Sequence, residues 1–431
     1  MKILLLGSGG REHAIAWKLS QSPLCSRLFI APGNAGTAQL GTNLPFAVTD
    51  FDAIRKCCSD EAIDMVIVGP EEPLVKGITD VLDEAFGTDV MVVGPGKQAA
   101  QLEGSKAFAK AFMQRHGIPT AAYREFTEEN YTDGIEYLKS HELPVVLKAD
   151  GLAAGKGVII CQHHVEAVAE FELMIQRSKF GEAGRRVVVE EFLDGIELSV
   201  FVLTDGKNYV LLPEAKDYKR IGEGDKGPNT GGMGAISPVP FADAAFMEKV
   251  RTRIIEPTIN GLATDQLHYT GFIFFGLIRV NDEPYVIEYN CRMGDPETEV
   301  VMPRIRTDLV ELLTSAARKQ LHRQQCEMDP RAAATIVAVS GGYPNEYQKG
   351  FPITNLETLP GTILFHSGTK MSDDQVVTNG GRVLCATALA DELDEALHLS
   401  RSLVEQVTFE NKYFRRDIGF EFIQQDTRES E

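Results

Sequence analysis

At 431 residues, with 43% apolar and 24% charged residues, the chain has the make-up of a soluble globular enzyme of two to four lobes, each able to bury its own core. A formal net charge of -19 argues against unspecific nucleic-acid binding, because a phosphate backbone would be repelled, so any anionic substrate must be gripped by local chemistry. The seven cysteines form no C-x-x-C pair, which suggests neither a zinc site nor a disulfide framework and points to reduced thiols in a cytoplasmic protein.

The first hundred residues alternate short apolar runs with helical stretches: KILLL, REHAIAWKLSQ, RLFIA, DMVIVGP and VMVVGP. This alternation predicts a parallel sheet with crossover helices as a first lobe over residues 1–102. Gly7, Gly9 and Gly10 follow the first strand as a turn that opens a helix, where backbone donors and the helix dipole favour an anion. The turn departs from the dinucleotide fingerprint, since Glu12 fills the third glycine position. Two more turns, PGNAGT at 32–37 and GPEE at 69–72, fall at strand ends, where open α/β sheets bind ligands. Three such turns at one sheet edge predict a shared pocket.

A helix reading SKAFAKAFMQRHG leads to a small strand-rich lobe over residues 123–201. Within it, VVLKADGLAAGKGV (145–158) reads as strand, small-residue loop, strand. Glycines at 151, 155 and 157 would let backbone N–H groups approach a polyphosphate, and Lys148 and Lys156 could neutralise its charge. It is not the common phosphate loop: Asp150 stands where that loop needs a glycine, and Gly157 follows the lysine in place of Ser or Thr. A glycine-rich hairpin with solvated lysines would give the same string. VVVEEFLDGIELSV (187–200) reads as strand, break and strand. The break could offer backbone groups to an adenine edge, with Glu197 reaching ribose hydroxyls; an exposed acidic hairpin is the other reading.

Residues 214–240 form a polar, glycine-rich segment too long for an idle connection, and with Lys219, Arg220, Asp225 and Asn229 it reads as a substrate loop. A helix over 246–264 and strands over 271–280 and 285–289 follow. In YVIEYNCRMGDPETE (285–299), Glu288 and Asn290 stand two apart and so face one side of a strand. That oxygen pair suits Mg²⁺, which keeps waters and shares phosphate oxygens, while Arg292 could grip a carboxylate or a forming acyl phosphate. A buried structural Glu–Asn pair is the alternative. Hairpin-like strands and a helix over 392–406 occupy the last hundred residues, and there are no repeats. The run 272–280 is far short of the roughly 20 residues a membrane helix needs, and Ile3 to Leu6 is too short for a signal peptide.

Taken together these strings resemble the ATP-grasp ligases, and within them the phosphoribosylamine–glycine ligase family. The resemblance runs along essentially the whole chain: GSGGREHAIAWK, PGNAGT, IVGPEEPLVKG, QLEGSKAFAK, VLKADGLAAGKGV, EEFLDG, GPNTGGMG, EYNCRMGDPET, SGGYP and VVTNGGRVLCATA. It implies an α/β and α+β multidomain architecture. An N-terminal parallel-sheet (pre-ATP-grasp) lobe would cover 1–102, an ATP-grasp domain 103–328 with a lid lobe at about 123–201, and a strand-rich C-terminal domain 329–431. It further implies that Lys106, Lys148, Gly151, Gly155, Lys156, Gly157 and Glu190 surround ATP. Glu191 and Leu193 would offer backbone groups to adenine, Glu197 would hold the ribose, and Glu288 and Asn290 would bind Mg²⁺ or Mn²⁺. Gly9, Gly10, Arg11, Asn34 and Glu71 would hold the phosphoribosyl substrate. Asp225, Asn229, Arg292 and Asp295 would serve glycine and the acyl phosphate, and Lys219 would bind substrate as well, with Arg292, Lys148 and Asp295 as the catalytic set. Many members carry a further acidic metal ligand on the preceding strand, but GFIFFGLIRV at 271–280 has none, which leaves the metal count open.

The implied reaction is ATP-dependent ligation of glycine to 5-phosphoribosylamine through glycyl phosphate, giving glycinamide ribonucleotide, ADP and phosphate in purine biosynthesis. The expected partners are these small molecules, with no nucleic acid and no membrane, acting on a cytoplasmic monomer or weak dimer. No general base is required of His13, His116, His163 or His164, which read as helix or surface residues. A biotin-carboxylase relative would share the Glu, Asn and Arg spacing but leaves GPNTGGMG and VVTNGGRVLC unexplained. A nicotinamide dehydrogenase conflicts with Glu12, and a noncatalytic regulator would be expected to have lost Lys106, Lys148, Glu288 or Asn290. The chain stops at Glu431 without a second enzymatic module, so a fused arrangement is not expected.

Overall fold

The computed structural model of the chain describes residues 1–151, 157–176 and 185–423. Strands β1 (Lys2–Gly7), β2 (Arg27–Pro32), β3 (Thr42–Asn43), β4 (Met65–Val68) and β5 (Met91–Val93) form an all-parallel sheet in the order β3-β2-β1-β4-β5. Helices α1 (Gly10–Leu19), α2 (Phe51–Glu61), α3 (Glu71–Lys76) and α4 (Ile78–Phe86) make its crossovers, and α5 (Gln101–Gly104) and α6 (Lys106–Arg115) lead out of it. The strand order reverses between β1 and β4, and a ligand crevice opens outside the strand ends at such a point. The turns after Gly7 and at 69–72 lie there.

Glu12 explains the composition of those turns. Its carboxylate accepts the Gly9 N–H at 2.7 Å, and a Cβ on either Gly7 or Gly69 would run into it. The residue that breaks the dinucleotide fingerprint is therefore the one around which two glycine turns are folded.

The lid is a four-stranded antiparallel sheet, order β6-β9-β7-β8, built from β6 (Tyr123–Thr127), β7 (Val145–Ala149), β8 (Val158–Cys161) and β9 (Arg186–Glu191). Helices α7 (Tyr131–Ser140) and α8 (His164–Ile175) close a core of its own around Phe126, Leu138, Leu147, Phe171 and Val189. The reading of 123–201 as one lobe needs correction. After a break at 192–194 the next strand, β10 (Ile196–Thr204), leaves the lid and pairs with β11 (Tyr209–Leu211) and β16 (Gly271–Val280), so the lid sheet ends at Glu191. Both strands are apolar and β-branched, which is why the sequence alone did not separate them.

The central sheet runs β11-β10-β16-β17, with β17 over Glu283–Asn290. The single helix expected over 246–264 is two, α9 (Ala244–Val250) and α10 (Glu256–Thr264), joined by a π-helical turn. The supposed loop 214–240 is also a correction. It holds β12 (Lys216–Asp217), the hairpin β13 (Arg220–Gly222) and β14 (Lys226–Asn229), and β15 (Gly234–Ser237). Its outer strands join the C-terminal sheet, order β12-β15-β18-β22-β19, with β18 (Ala332–Val339), β19 (Thr362–His366) and β22 (Arg382–Ala390). The hairpin of β20 (Thr369–Ser372) and β21 (Gln375–Thr378) and helices α11 (Thr298–Val301), α12 (Leu309–Ala317) and α13 (Leu393–Gln406) complete the domain.

Strand alternation welds these parts together. On β1, Ile3 and Leu5 enter a core shared with the C-terminal sheet, whereas Leu4 and Leu6 enter a second core shared with Val200, Ile273 and Phe275 of the central sheet. Each such side chain contributes roughly 1.5–3 kcal/mol on burial, so the two cores hold everything but the lid as one body. Among the described residues no helix is long and apolar enough to cross a membrane.

Candidate active site

A cavity of about 190 Å³ lies between the lid and the central sheet. Lys106 and Lys110 come from one face of α6, Lys148 and Glu190 from the lid strands, and Glu288, Asn290 and Arg292 from the end of β17. Gly151 and Gly157 also line it, as does Glu71 from the first lobe.

The cations arrive already balanced. Lys148 Nζ sits 2.8 Å from Glu190 Oε2 and donates to the Ile287 carbonyl at 3.2 Å. That carbonyl is free to face the lid because the β16–β17 register shifts there: Gly276 pairs with Glu288 and Leu277 with Val286, leaving Ile287 unpaired. Lys110 approaches the other Glu190 oxygen at 3.2 Å, an ion-pair distance without hydrogen-bond geometry. Burial pushes the Lys110 amine down to about 8 despite that carboxylate. Lys106 Nζ donates to the Gly151 carbonyl at 3.0 Å, and burial lowers its pKa as well, with Glu288 opposing.

Glu288 and Asn290 share a face as the spacing predicts. The Asn290 amide reaches Glu288 Oε1 at 3.4 Å, a contact at the long limit. Gly276 lies beneath, where a Cβ would stand 3.1 Å from Glu288 Cγ. Two oxygen donors on one open face fit a hard divalent cation. Among the described residues no group of three or more His, Cys, Asp or Glu gathers as a metal site, so waters and phosphate oxygens would fill the other positions.

Arg292 is gripped by carboxylates from elsewhere in the chain: Nη2 lies 2.7 Å from Glu103 Oε1, and Nε lies 3.4 Å from Glu71 Oε2. Burial opposes ionisation of Glu71, but Arg292 and Arg11 outweigh it and hold its pKa below the usual carboxylate value. Arg11 itself is buried, paired with Glu12 at 2.6 Å, and donates to the Met293 carbonyl at 3.3 Å. Asp295 connects the same turn to the C-terminal domain. One carboxylate oxygen is 3.0 Å from Arg382 Nη2; the other lies 3.5 Å from the Arg11 backbone N and beside Gly9. Gly10 faces buried Glu299, which a Cβ would strike.

Several expected ligands have other partners. Asn34 accepts from Gly36 and Thr37 N–H groups at 2.8 and 3.0 Å and donates to the Ser8 and His366 carbonyls at 2.9 and 2.8 Å, so its amide knits turns together. Asp225, at the tip of the β13–β14 hairpin, pairs with Arg415 at 2.7 Å, and Asn229 is exposed opposite Arg220. Neither lines the cavity. Lys219 pairs with Glu197 at 2.7 Å and stands 3.9 Å from Asp217. That lysine is the main reason the Glu197 pKa is lowered. Glu191 donates its N–H to the Ala122 carbonyl and accepts from Ala122 N–H through its side chain, and Leu193 lies in the break after β9. Gly155 and Lys156 lie outside the described residues.

Sequence reasoning missed Lys110, Glu103 and Arg382. Lys110 was detectable, since it follows Lys106 by one helical turn on the same face. Glu103 and Arg382 carry no local signal, because each acts on residues far along the chain.

Three successive matches cover most of the sequence: Phosphoribosylglycinamide synthetase N domain over residues 1–103, ATP-grasp (A) domain over 104–298, and C domain over 333–421. Phosphoribosylamine–glycine ligase of Vibrio cholerae is 47% identical over 428 residues, 98% of this chain and 99% of that protein. The Escherichia coli K12 enzyme of the same name is 47% identical over 432 residues, 99% of this chain and 100% of its own length. The crystal structure of phosphoribosylamine–glycine ligase from Thermotoga maritima superposes with a TM-score of 0.84 at 35% identity, covering 97% of this chain and all (100%) of that one. The biotin carboxylase domain of the Hydrogenobacter thermophilus 2-oxoglutarate carboxylase, at 16% identity and TM-score 0.73 over 96% of this chain and 91% of its own, shares the fold alone. The chain is an ATP-grasp protein and belongs to the phosphoribosylglycinamide synthetase family.

Proposed function

We infer that this protein ligates glycine to 5-phosphoribosylamine at the expense of ATP, forming glycinamide ribonucleotide, ADP and phosphate. The observation that carries this reading is the single cavity in which Lys106, Lys148, Glu288, Asn290 and Arg292 converge from three separate elements. Phosphoryl transfer asks for positioning and charge neutralisation more than covalent chemistry, and these groups supply both.

In this reading Lys106, Lys110 and Lys148 hold the ATP phosphates, displacing their internal partners Glu190 and the Gly151 carbonyl. Glu288 and Asn290 would hold the divalent ion, Mg²⁺ or Mn²⁺, which when bound neutralises charge on the phosphates. Arg292 orients the glycine carboxylate as it takes the γ-phosphoryl group. The phosphoribosylamine nitrogen then forms the amide bond at the glycyl carbonyl, phosphate leaves, and the nitrogen's surplus proton passes to solvent. Gly9, Gly10, Arg11, Glu71 and Asp295, at the strand-order reversal, are proposed to seat the phosphoribosyl group beside Arg292. The contacts of Arg11 and Glu71 with the Arg292 neighbourhood support a path between the two seats.

The test is ADP release from the purified protein with Mg-ATP, glycine and freshly generated 5-phosphoribosylamine. Release that needs all three is expected. Release indifferent to the amine would overturn the reading.

A further inference from the structure

Glu103 has no part in the roles assigned so far, yet its carboxylate is held at both oxygens. Its side chain is 7% exposed. One oxygen lies 2.7 Å from Arg292 Nη2, and the other accepts the Cys291 backbone N–H at 2.8 Å. A single group thus fixes both the main chain leaving β17 and the guanidinium that follows. Burial drives the Glu103 pKa up, Arg292 opposes that rise, and the nearby Glu71 and Glu288 charges add to it. A buried carboxylate in such company persists only with its cation in place.

The other contacts of Arg292 are looser. Nη1 donates to the Met293 carbonyl at 3.3 Å, and Nε, though 3.4 Å from Glu71, is a buried donor without a hydrogen bond. Three residues past Glu103, Lys106 reaches the Gly151 carbonyl at the lid, and Ser105 reaches Asp150 at 3.0 Å. The α5–α6 joint therefore touches Arg292 on one side and the lid on the other.

We propose that Glu103 is a positioning residue for the ligation: it clamps Arg292 through Nη2 and so fixes the guanidinium that meets the glycine carboxylate and its acyl phosphate at the cavity. This rests on the ligase reading above. An arginine released from that clamp keeps its charge but loses its aim, and a misplacement of about 1 Å can cost on the order of 100-fold in rate.

The experiment compares wild type, Glu103→Gln, Arg292→Ala and the double variant, following ADP release against glycine and against ATP, with thermal unfolding alongside. Glu103→Gln is expected to lower kcat/KM for glycine about 100-fold while the KM for ATP stays within about twofold. The double variant should be no worse than Arg292→Ala alone, because Glu103 acts only through Arg292. If Glu103→Gln does not fold, Glu103→Asp, which keeps the charge and shortens its reach, should give the same separation of glycine from ATP. Additive losses in the double variant, or equal losses toward ATP and glycine, would mean a general structural role and overturn the inference. Wild-type release that needs all three substrates, with wild-type glycine kinetics in Glu103→Gln, overturns the inference alone. Wild-type release indifferent to the amine overturns the ligase reading and the inference with it.

Discussion

The lid and the body of this protein are built on opposite plans. In the body, three sheets share two cores, and a strand such as β1 serves both at once. The lid keeps its own core and meets the cavity mainly through polar groups, Lys148 and Glu190 above all. A lid core separate from the rest can shift as a unit without opening the body, whereas Glu288, Asn290 and Arg292 all stand on the body. Lys148, bonded across the gap to the Ile287 carbonyl, stands on the part with a core of its own.

The largest effect should come from breaking the fixed side. Arg292→Ala is expected to cut kcat about 1000-fold with little change in the KM for ATP, since in the proposed reaction it removes a preorganised charge at the reacting centre. Lys148→Met should instead raise the KM for ATP as well as lower kcat. Steady-state kinetics on both variants checks the division; an Arg292→Ala defect confined to the ATP KM would contradict it.

Next come the cores. Phe171 is fully buried in the lid, stacked against Tyr131 and edge-on to Phe126, while Phe275 is fully buried between the first lobe and the central sheet. Truncation of either to alanine should cost about 3–5 kcal/mol at its site. Hydrogen exchange should show Phe171→Ala deprotecting the lid strands alone and Phe275→Ala deprotecting the body throughout. Global loss from Phe171→Ala would mean that lid and body are one cooperative unit.

The same contrast separates what the sequence displayed from what it hid. Periodicity gave the parallel sheet, and the Glu288–Asn290 spacing gave their shared face, because both follow from strand geometry over a few residues. The handover from β9 to β10 was hidden, since only pairing partners tell a lid strand from a central one. The tie made by Asn34 and the clamp made by Glu103 were hidden for the same reason: their partners, His366 and Arg292, are distant in the chain. The register shift that bares the Ile287 carbonyl depends on β16 opposite and has no signature in YVIEYN.

A smaller effect probes the seam between the first lobe and the C-terminal domain, inside the body. His13 Nδ1 accepts the His366 N–H at 2.7 Å, and the two rings lie 5.6 Å apart in buried surroundings. Burial first, then the neighbouring imidazole, lowers His13 to about 3; burial lowers His366 to about 4. Both are neutral when folded but take up protons below about pH 6.5 when unfolded, so their contribution is complete above that pH and is lost as pH falls toward 4 and 3. Each should remove about 2 kcal/mol of stability between pH 6.5 and 5. Urea unfolding across that range should show the slope reduced in His13→Gln, and an unchanged slope would assign the acid sensitivity elsewhere.

The smallest effect lies at the cavity, on the body side of the gap. Lys110 is held down to about 8 from an ordinary 10.5, first by burial and against the pull of Glu190. Between those values the unfolded chain binds the proton and the folded one does not, so stability rises with pH through the window while the charge available to a phosphate falls. The KM for ATP should therefore rise a few-fold, roughly threefold, from pH 7 to 9 in the wild type and stay nearly level in Lys110→Met, whose side chain fills the space without the charge. Lys148, paired closely with Glu190 at 2.8 Å, gives the comparison: Lys148→Met should keep a rise on a raised baseline but move it to higher pH, because the Lys148 charge helps hold the Lys110 pKa down. A trend that vanishes in Lys148→Met but survives in Lys110→Met would move the titrating amine from the body to the lid, and with it the division of labour between them.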